Sequence, residues 1–160
     1  MDLDPDECRV RFAAARIAVL GTIGPAYPVH ATQPASAAST PDIAAHQAGR
    51  VRPHLVPITF ALRHDMVVSA VDHKPKRHRA LRRLANIEDH PEVSLLVEHA
   101  DADWDRLWWV RADGLASVLP AGSEPVDWLL EKYPQYRLRP PEGAVIRIEI
   151  TRWVGWAAGA

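Results

Sequence analysis

"RPHLVPITFALRHDMVVSAV", residues 52–71, holds two apolar, β-branched runs separated by Arg63-His64-Asp65. Val, Ile, Thr and Phe fit a pleated, half-buried surface, and a short polar break between two such runs reads as a hairpin turn. Residues 52–63 are therefore expected as one strand and 65–71 as its partner. Pro57 lies inside the first run. Proline offers no N–H to a ladder, so that strand must run along a sheet edge or bulge there.

Further strands surround this pair. Residues 16–23, "RIAVLGTI", and 92–99, "EVSLLVEH", have the same β-branched and apolar content. "RLWWVRADG" and "LASVLP" read as a second hairpin around Asp113-Gly114, because Asp-Gly favours a two-residue turn. In "AVIRIEITRWVGW", residues 144–156, Ile146, Ile148 and Ile150 point one way and Arg147, Glu149 and Thr151 the other. The neighbours Trp108 and Trp109 must face opposite sides. Three helices are expected. In residues 5–15, Cys8, Phe12 and Ala15 share a face behind an acidic start that suits the positive end of a helix dipole. A second helix follows Pro75, with Ala80, Leu81, Leu84, Ala85 and Ile87 as its apolar stripe, and stops before Pro91. Ser123 caps a third over residues 124–133, which Pro134 ends.

About six strands without strand–helix alternation argue against a doubly wound parallel sheet. They fit a mainly β fold, a small antiparallel barrel with peripheral helices. A chain of 160 residues makes one domain, 1–160. Residues 24–50, rich in Ala, Pro, Ser and Thr and without a period, read as a low-complexity loop or insertion within it.

The net charge of −1 argues against a general nucleic-acid coat. A single cysteine, Cys8, excludes an intramolecular disulfide and a cysteine-rich metal site. The start "MDLDPDECRV" lacks a signal-peptide core, and no apolar run reaches membrane-spanning length, so a cytoplasmic protein is expected. The histidines are dispersed, and no HExxH, GxSxG, P-loop or GxGxxG occurs. Asp101, Asp103 and Asp105 begin like a calcium loop but lack its glycine and distal glutamate. No metal is expected.

Against this balance, residues 71–87, "VDHKPKRHRALRRLANI", concentrate six Lys or Arg residues. A solvated helix face, a nucleic-acid contact and a phosphate site are the three readings. The third rests on order: strand, polar turn, cations, helix. Lys76 and Arg77 stand where unpaired amides of a helix start attract anions.

"RPHLVPITFAL", "VVSAVDHKPKRHRALRRLANIEDHPEVSLLVEH", "DRLWWVRADG" and "YPQYRLRPPEGAVIRIEITRWVGWAA" follow one another in the order and spacing of a known family. Over residues 5–23 and 51–157 the chain resembles the pyridoxamine 5'-phosphate oxidase-like (PPOX-class), FMN-binding split β-barrel flavoproteins. Within them it is most similar to the group that uses the deazaflavin coenzyme F420. The resemblance implies a six-stranded antiparallel split barrel and a homodimer with the cofactor at the subunit interface. It implies that Leu55, Val56, Pro57, Ile58 and Thr59 line the tricyclic ring and ribityl chain, and that Ser69 and Ala70 flank the chain leading to the phosphate. Lys76 and Arg77 would hold that phosphate, with Arg52 and Lys74 as further anion contacts. Trp156 would approach the cofactor of the other subunit, with Trp153 nearby.

The implied activity is F420-dependent oxidoreduction, a hydride passing from reduced deazaflavin to a small-molecule acceptor. The alternatives are an FMN-binding oxidoreductase of the pyridoxamine-phosphate-oxidase type and a non-catalytic carrier or sensor. No catalytic residue is singled out. Asp72, His73 or solvent could supply the proton. The family joins its first two strands by a tight turn, so residues 24–50 depart from its pattern, as a lid or a surface loop.

Overall fold

The computed structural model describes residues 1–25, 51–72 and 81–159. They form one antiparallel sheet of seven strands. These are β1 (Ile17–Pro25), β2 (Val51–Thr59), β3 (Ala61–Arg63), β4 (Met66–Ala70), β5 (Glu92–His99), β6 (Trp108–Leu119) and β7 (Val145–Ala157). The order across the sheet is β2-β1-β5-β6-β7-β4-β3. Helices α1 (Pro5–Ala14), α2 (Arg82–Asp89), α3 (Asp127–Lys132) and α4 (Pro134–Leu138) lie around it. No helix among the described residues is long and apolar enough to cross a membrane. The mainly β reading holds. The strands number seven, where the sequence suggested six.

The extra strand comes from a break in residues 52–63. β2 and β3 stand at opposite ends of the sheet order, yet Phe60 alone separates them in the chain. The sheet must therefore curl until its two ends meet at Phe60. The expected hairpin shrinks to Ala61–Arg63 against Met66–Val68, while β2 pairs along its whole length with β1, from Ile17↔Thr59 to Pro25↔Val51. The prolines explain part of this. A strand carrying Pro53 and Pro57 can complete one ladder and serves at an edge. In the tight turn to β4, His64 takes the left-handed conformation, φ 53°.

Phe60 is fully buried, and its backbone N–H and C=O fall between the two ladders. Burying such groups unpaired is costly. The Tyr133 hydroxyl provides for both. It accepts from the Phe60 N–H at 3.1 Å, and its single proton lies between Arg16 O at 2.7 Å and Phe60 O at 2.8 Å. Burial raises the Tyr133 pKa, which keeps that proton in place. Beside it, the Lys132 ammonium donates to Ala15 O at 2.7 Å and sits 3.9 Å from the Phe60 ring centroid. Burial, helped by the charge of Arg16, brings its pKa down to about 8.

Two other expectations change. Residues 107–119 contain no hairpin: β6 is one strand paired with β5 on one side and β7 on the other. At Asp113-Gly114 the register shifts, Asp113 facing Arg152 and Gly114 facing Ile150, so that Thr151 is the extra residue of a bulge. A Cβ on Gly114 would stand 2.3 Å from Glu149 O, so the glycine serves close approach and not a turn. Residues 123–133 also do not form one capped helix. A 3₁₀ turn at Glu124–Val126 leads into α3, and Pro134 starts α4 after an extended Tyr133. Ser123 Oγ donates to Pro120 O at 2.8 Å and caps nothing.

α1 closes one side of the core. Asp4 caps it through the Glu7 N–H, and Cys8 and Phe12 are its buried residues. The Phe12 ring meets Phe60 at 4.8 Å and Trp153 at 5.3 Å. Leu20, Val67, Leu95, Val110 and Ile148 fill the same core. Arg9 reaches Asp65 with two hydrogen bonds, 2.8 and 3.2 Å, and Trp153 Nε1 donates to the same carboxylate at 2.7 Å.

Tyr133→Phe is expected to cost about 1–3 kcal/mol, because it strands the buried amide of Phe60; urea unfolding with an unchanged slope checks it. The contact with Arg9, then that with Trp153, holds the Asp65 carboxyl below its ordinary range. A folded pKa below the unfolded one, about 3.9, stabilises fully above that value and is lost as pH falls through the folded pKa. The stability gap between wild type and Asp65→Asn should therefore be widest near neutrality and narrow below about pH 4.

Candidate cofactor cavity

Beside the Phe60 bend lies a cavity of about 590 Å³, inside the range of about 300–1,000 Å³ usual for small-molecule sites. One wall is Val56, Pro57, Ile58 and Thr59 of β2. Facing it are Ser69 and Ala70 at the end of β4, followed by Val71 and Asp72. Leu81, Arg83 and Leu84, where α2 begins, close a third side. Their positions follow from the fold. β2 turns away to become β3 at Phe60, while β4 is held to β7 through Ala70↔Val145 and then by Val71 N–H to Ala144 O at 3.0 Å.

The structure thus gathers Val56, Pro57, Ile58, Thr59, Ser69 and Ala70 around one cavity. Leu55 does not line it. Its side chain lies on the outer face of β2, 67% exposed, opposite Gly21. Trp156 does not line it in this chain either; it stands on β7 opposite Trp109, each 36% exposed. Arg52 is exposed near the start of β2. Lys76 and Arg77, with His73 and Lys74, lie outside the described residues, as does nearly all of the 24–50 segment.

Two side chains that the sequence did not single out complete the site. Arg83 is the one cation among the described residues that line the cavity. Its Nε is buried and has no hydrogen-bond partner. Burial lowers the Arg83 pKa, with the charge of Asp72 opposing. A desolvated guanidinium with an unmet donor suits an oxyanion. The neighbouring Arg82 is used differently, donating to Pro25 O at 2.8 Å. In the sequence both are cations flanking an apolar stripe; only the packing of α2 separates them.

The second is Tyr136 on α4. Its hydroxyl donates to Asp72 Oδ1 at 2.6 Å and lies 2.7 Å from Thr59 Oγ1. A phenol has one proton, so Thr59 must donate to it. Burial, reinforced by the hydrogen bond to Asp72, pushes the Tyr136 pKa up to about 12. Among the described residues no group of three or more His, Cys, Asp or Glu side chains could hold a metal ion.

No protein-family model matches the chain, and no curated protein does. Solved structures do. A FAD-binding protein from Mesorhizobium loti superposes with a TM-score of 0.57 at 17% identity, covering 97% of this chain and 95% of that one. A conserved hypothetical protein from Mycobacterium tuberculosis gives 0.64 at 18% identity, covering 98% and 86%. A candidate pyridoxamine 5'-phosphate oxidase from Corynebacterium glutamicum gives 0.51 at 9% identity, covering 100% and 95%. The fold is pyridoxamine 5'-phosphate oxidase-like. At such identities the likeness speaks for the fold alone.

Arg83→Met should leave the thermal stability of the ligand-free chain unchanged or raise it, since it removes a desolvated charge and no hydrogen bond at Nε. A fall of several degrees in a melting scan would show that Arg83 serves packing instead.

Proposed function

We propose that the cavity binds a phosphorylated flavin and that the chain is a flavin-dependent oxidoreductase. The observation that carries this is Arg83: a half-buried cation, its buried Nε without a hydrogen-bond partner, on the wall of a cavity of flavin size, in a fold shared with a FAD-binding protein. The residues present fit such a group. Val56, Pro57 and Ile58 offer an apolar surface to a tricyclic ring. The hydroxyls of Thr59 and Ser69 offer hydrogen bonds, and Arg83, joined by Lys76 and Arg77, offers charge to a phosphate. When bound, a flavin supplies reversible two-electron hydride exchange. The chain itself would fix the ring against β2, anchor the phosphate and keep bulk water from the ring face.

F420 is the second reading, supported by the sequence blocks quoted above. It shares the tricycle and ribityl phosphate, and Lys74 and Arg79 suit its acidic tail. In either reading β2 and β3 count as one bent strand of a six-stranded split barrel in a cytoplasmic protein. A homodimer belongs to the same proposal. On the outer sheet face, the successive rows Gly21–Leu55, Val19–Leu96 and Trp109–Trp156 place four exposed apolar side chains, Leu55, Leu96, Trp109 and Trp156, on one side. Such a face suits a second copy, whose cavity Trp156 would then approach.

Fluorescence titration of the purified chain with FMN, F420 and riboflavin tests the reading. FMN should bind, and riboflavin, which lacks the phosphate, should bind more weakly. Arg83→Gln should weaken FMN binding roughly ten- to a hundredfold, the worth of one charge-assisted hydrogen bond. Binding of F420 in place of FMN would select the second reading. If neither cofactor binds, the function is something else; tight binding without turnover of any acceptor would point to a carrier or sensor.

A further inference from the structure

Three hydrogen-bonding groups run in line from the cavity outward. Thr59 lines the cavity, half-buried, and its hydroxyl donates to Tyr136 at 2.7 Å. Tyr136 donates to Asp72 Oδ1 at 2.6 Å, and Asp72 is exposed to solvent at the cavity rim. The bonds are short, and every proton in the chain points outward. They come from three separate elements: the end of β2, the segment after β4, and α4. Core packing alone would not call for a tyrosine hydroxyl here, since Phe could fill the ring's place. We propose that Thr59, Tyr136 and Asp72 form a proton relay between solvent and the cavity, serving the oxidoreduction proposed above, on which this inference rests.

In the reductive direction an acceptor with a polarised double bond gains a hydride from the reduced cofactor at one atom. The displaced bonding pair moves to the other atom, which takes the proton of Thr59 Oγ1. For this Asp72 first takes a proton from water and the two hydrogen bonds reverse, so that Thr59 regains its proton from Tyr136 and Tyr136 from the protonated Asp72 carboxyl. The acceptor is reduced by two electrons and the cofactor oxidised by two. In the oxidative direction the same protons move outward, which is how the three groups are aligned in this structure. Tyr136 resists ionisation through burial, so it passes a proton on without standing as a phenolate. The groups facing it are Asp72, Thr59 and the ring of Tyr133, 5.5 Å away; the charge of Asp72 in turn acts on Arg83.

The test uses the full chain and two readouts. In the ligand-free protein, the ring Cζ resonance of Tyr136 in ¹³C-tyrosine-labelled wild type should follow the titration of Asp72, and this response should vanish in Asp72→Asn. In FMN-loaded protein, photoreduced and mixed with menadione as probe acceptor, Tyr136→Phe and Thr59→Val should slow reoxidation about a hundredfold, within the usual span of acid–base catalysis. Both should also abolish its solvent deuterium isotope effect, and Tyr136→Phe, whose ring lies behind Thr59 and not on the cavity wall, should hold FMN affinity within about twofold. Thr59→Ser, which keeps the hydroxyl, should restore both rate and isotope effect. The relay is overturned if the Tyr136 resonance ignores Asp72. It is equally overturned if the variants keep the wild-type rate and isotope effect, or if Tyr136→Phe loses FMN affinity as much as rate, which would make Tyr136 a clamp between the cavity walls. Absence of FMN binding by wild type would instead reject the flavin reading, and the resonance titration would still decide whether the relay is coupled.

Discussion

Everything in this molecule turns on how the chain passes Phe60. A strand that leaves one ladder to join another exposes one residue's backbone to an apolar interior with no partner. The desolvation of an unpaired amide and carbonyl there would rival a sizeable part of a domain's net stability. The Tyr133 hydroxyl meets both groups and ties in Arg16 O, so one side chain joins the residue before β1, the bend and the segment between α3 and α4. Lys132 adds its ammonium over the Phe60 ring, and Phe12 packs against that ring. The two ends of the sheet are held at this point, and the curl of the sheet follows.

The cavity is a by-product of the same constraint. Where β2 parts from β4, side chains that would otherwise face a sheet neighbour face open volume. The segment that pins the bend also equips the cavity: three residues beyond Tyr133, the next turn of chain delivers Tyr136 to Thr59 and Asp72. Structural and chemical roles thus sit side by side on "YPQY", residues 133–136. Arg83 shows the opposite arrangement. Its donor is buried without compensation, a state that is costly unless something arrives to share it.

Much of the architecture was legible from periodicity. The alternation of Ile146, Ile148 and Ile150, the Cys8–Phe12 face of α1 and the opposed placement of Trp108 and Trp109 all appear as read. Local patterns failed where a residue type has two uses. Asp113-Gly114 reads locally as a turn because glycine permits one; it is a bulge because glycine also permits contact with Glu149 O. Pro134 does end α3, with Tyr133 extended before it, and the same proline also starts α4. On α2, the spacing puts Ala85 on the apolar stripe, but it is exposed and Asn86 is buried instead, donating to Thr22 Oγ1 at 2.9 Å.

The sequence by itself determined most of the strand content, the restriction of the strand carrying Pro57 to an edge or a bulge, and the clustering of cations around the start of α2. These depend on residue type and short-range spacing, which need no knowledge of distant neighbours. Tertiary structure alone decided that β2 and β3 part at Phe60, that Arg83 and not Arg82 lines the cavity, and that Tyr136 meets Thr59 and Asp72. Each of those facts is a contact between segments far apart in the chain. Such contacts depend on where the whole sheet closes, and no local pattern carries that information.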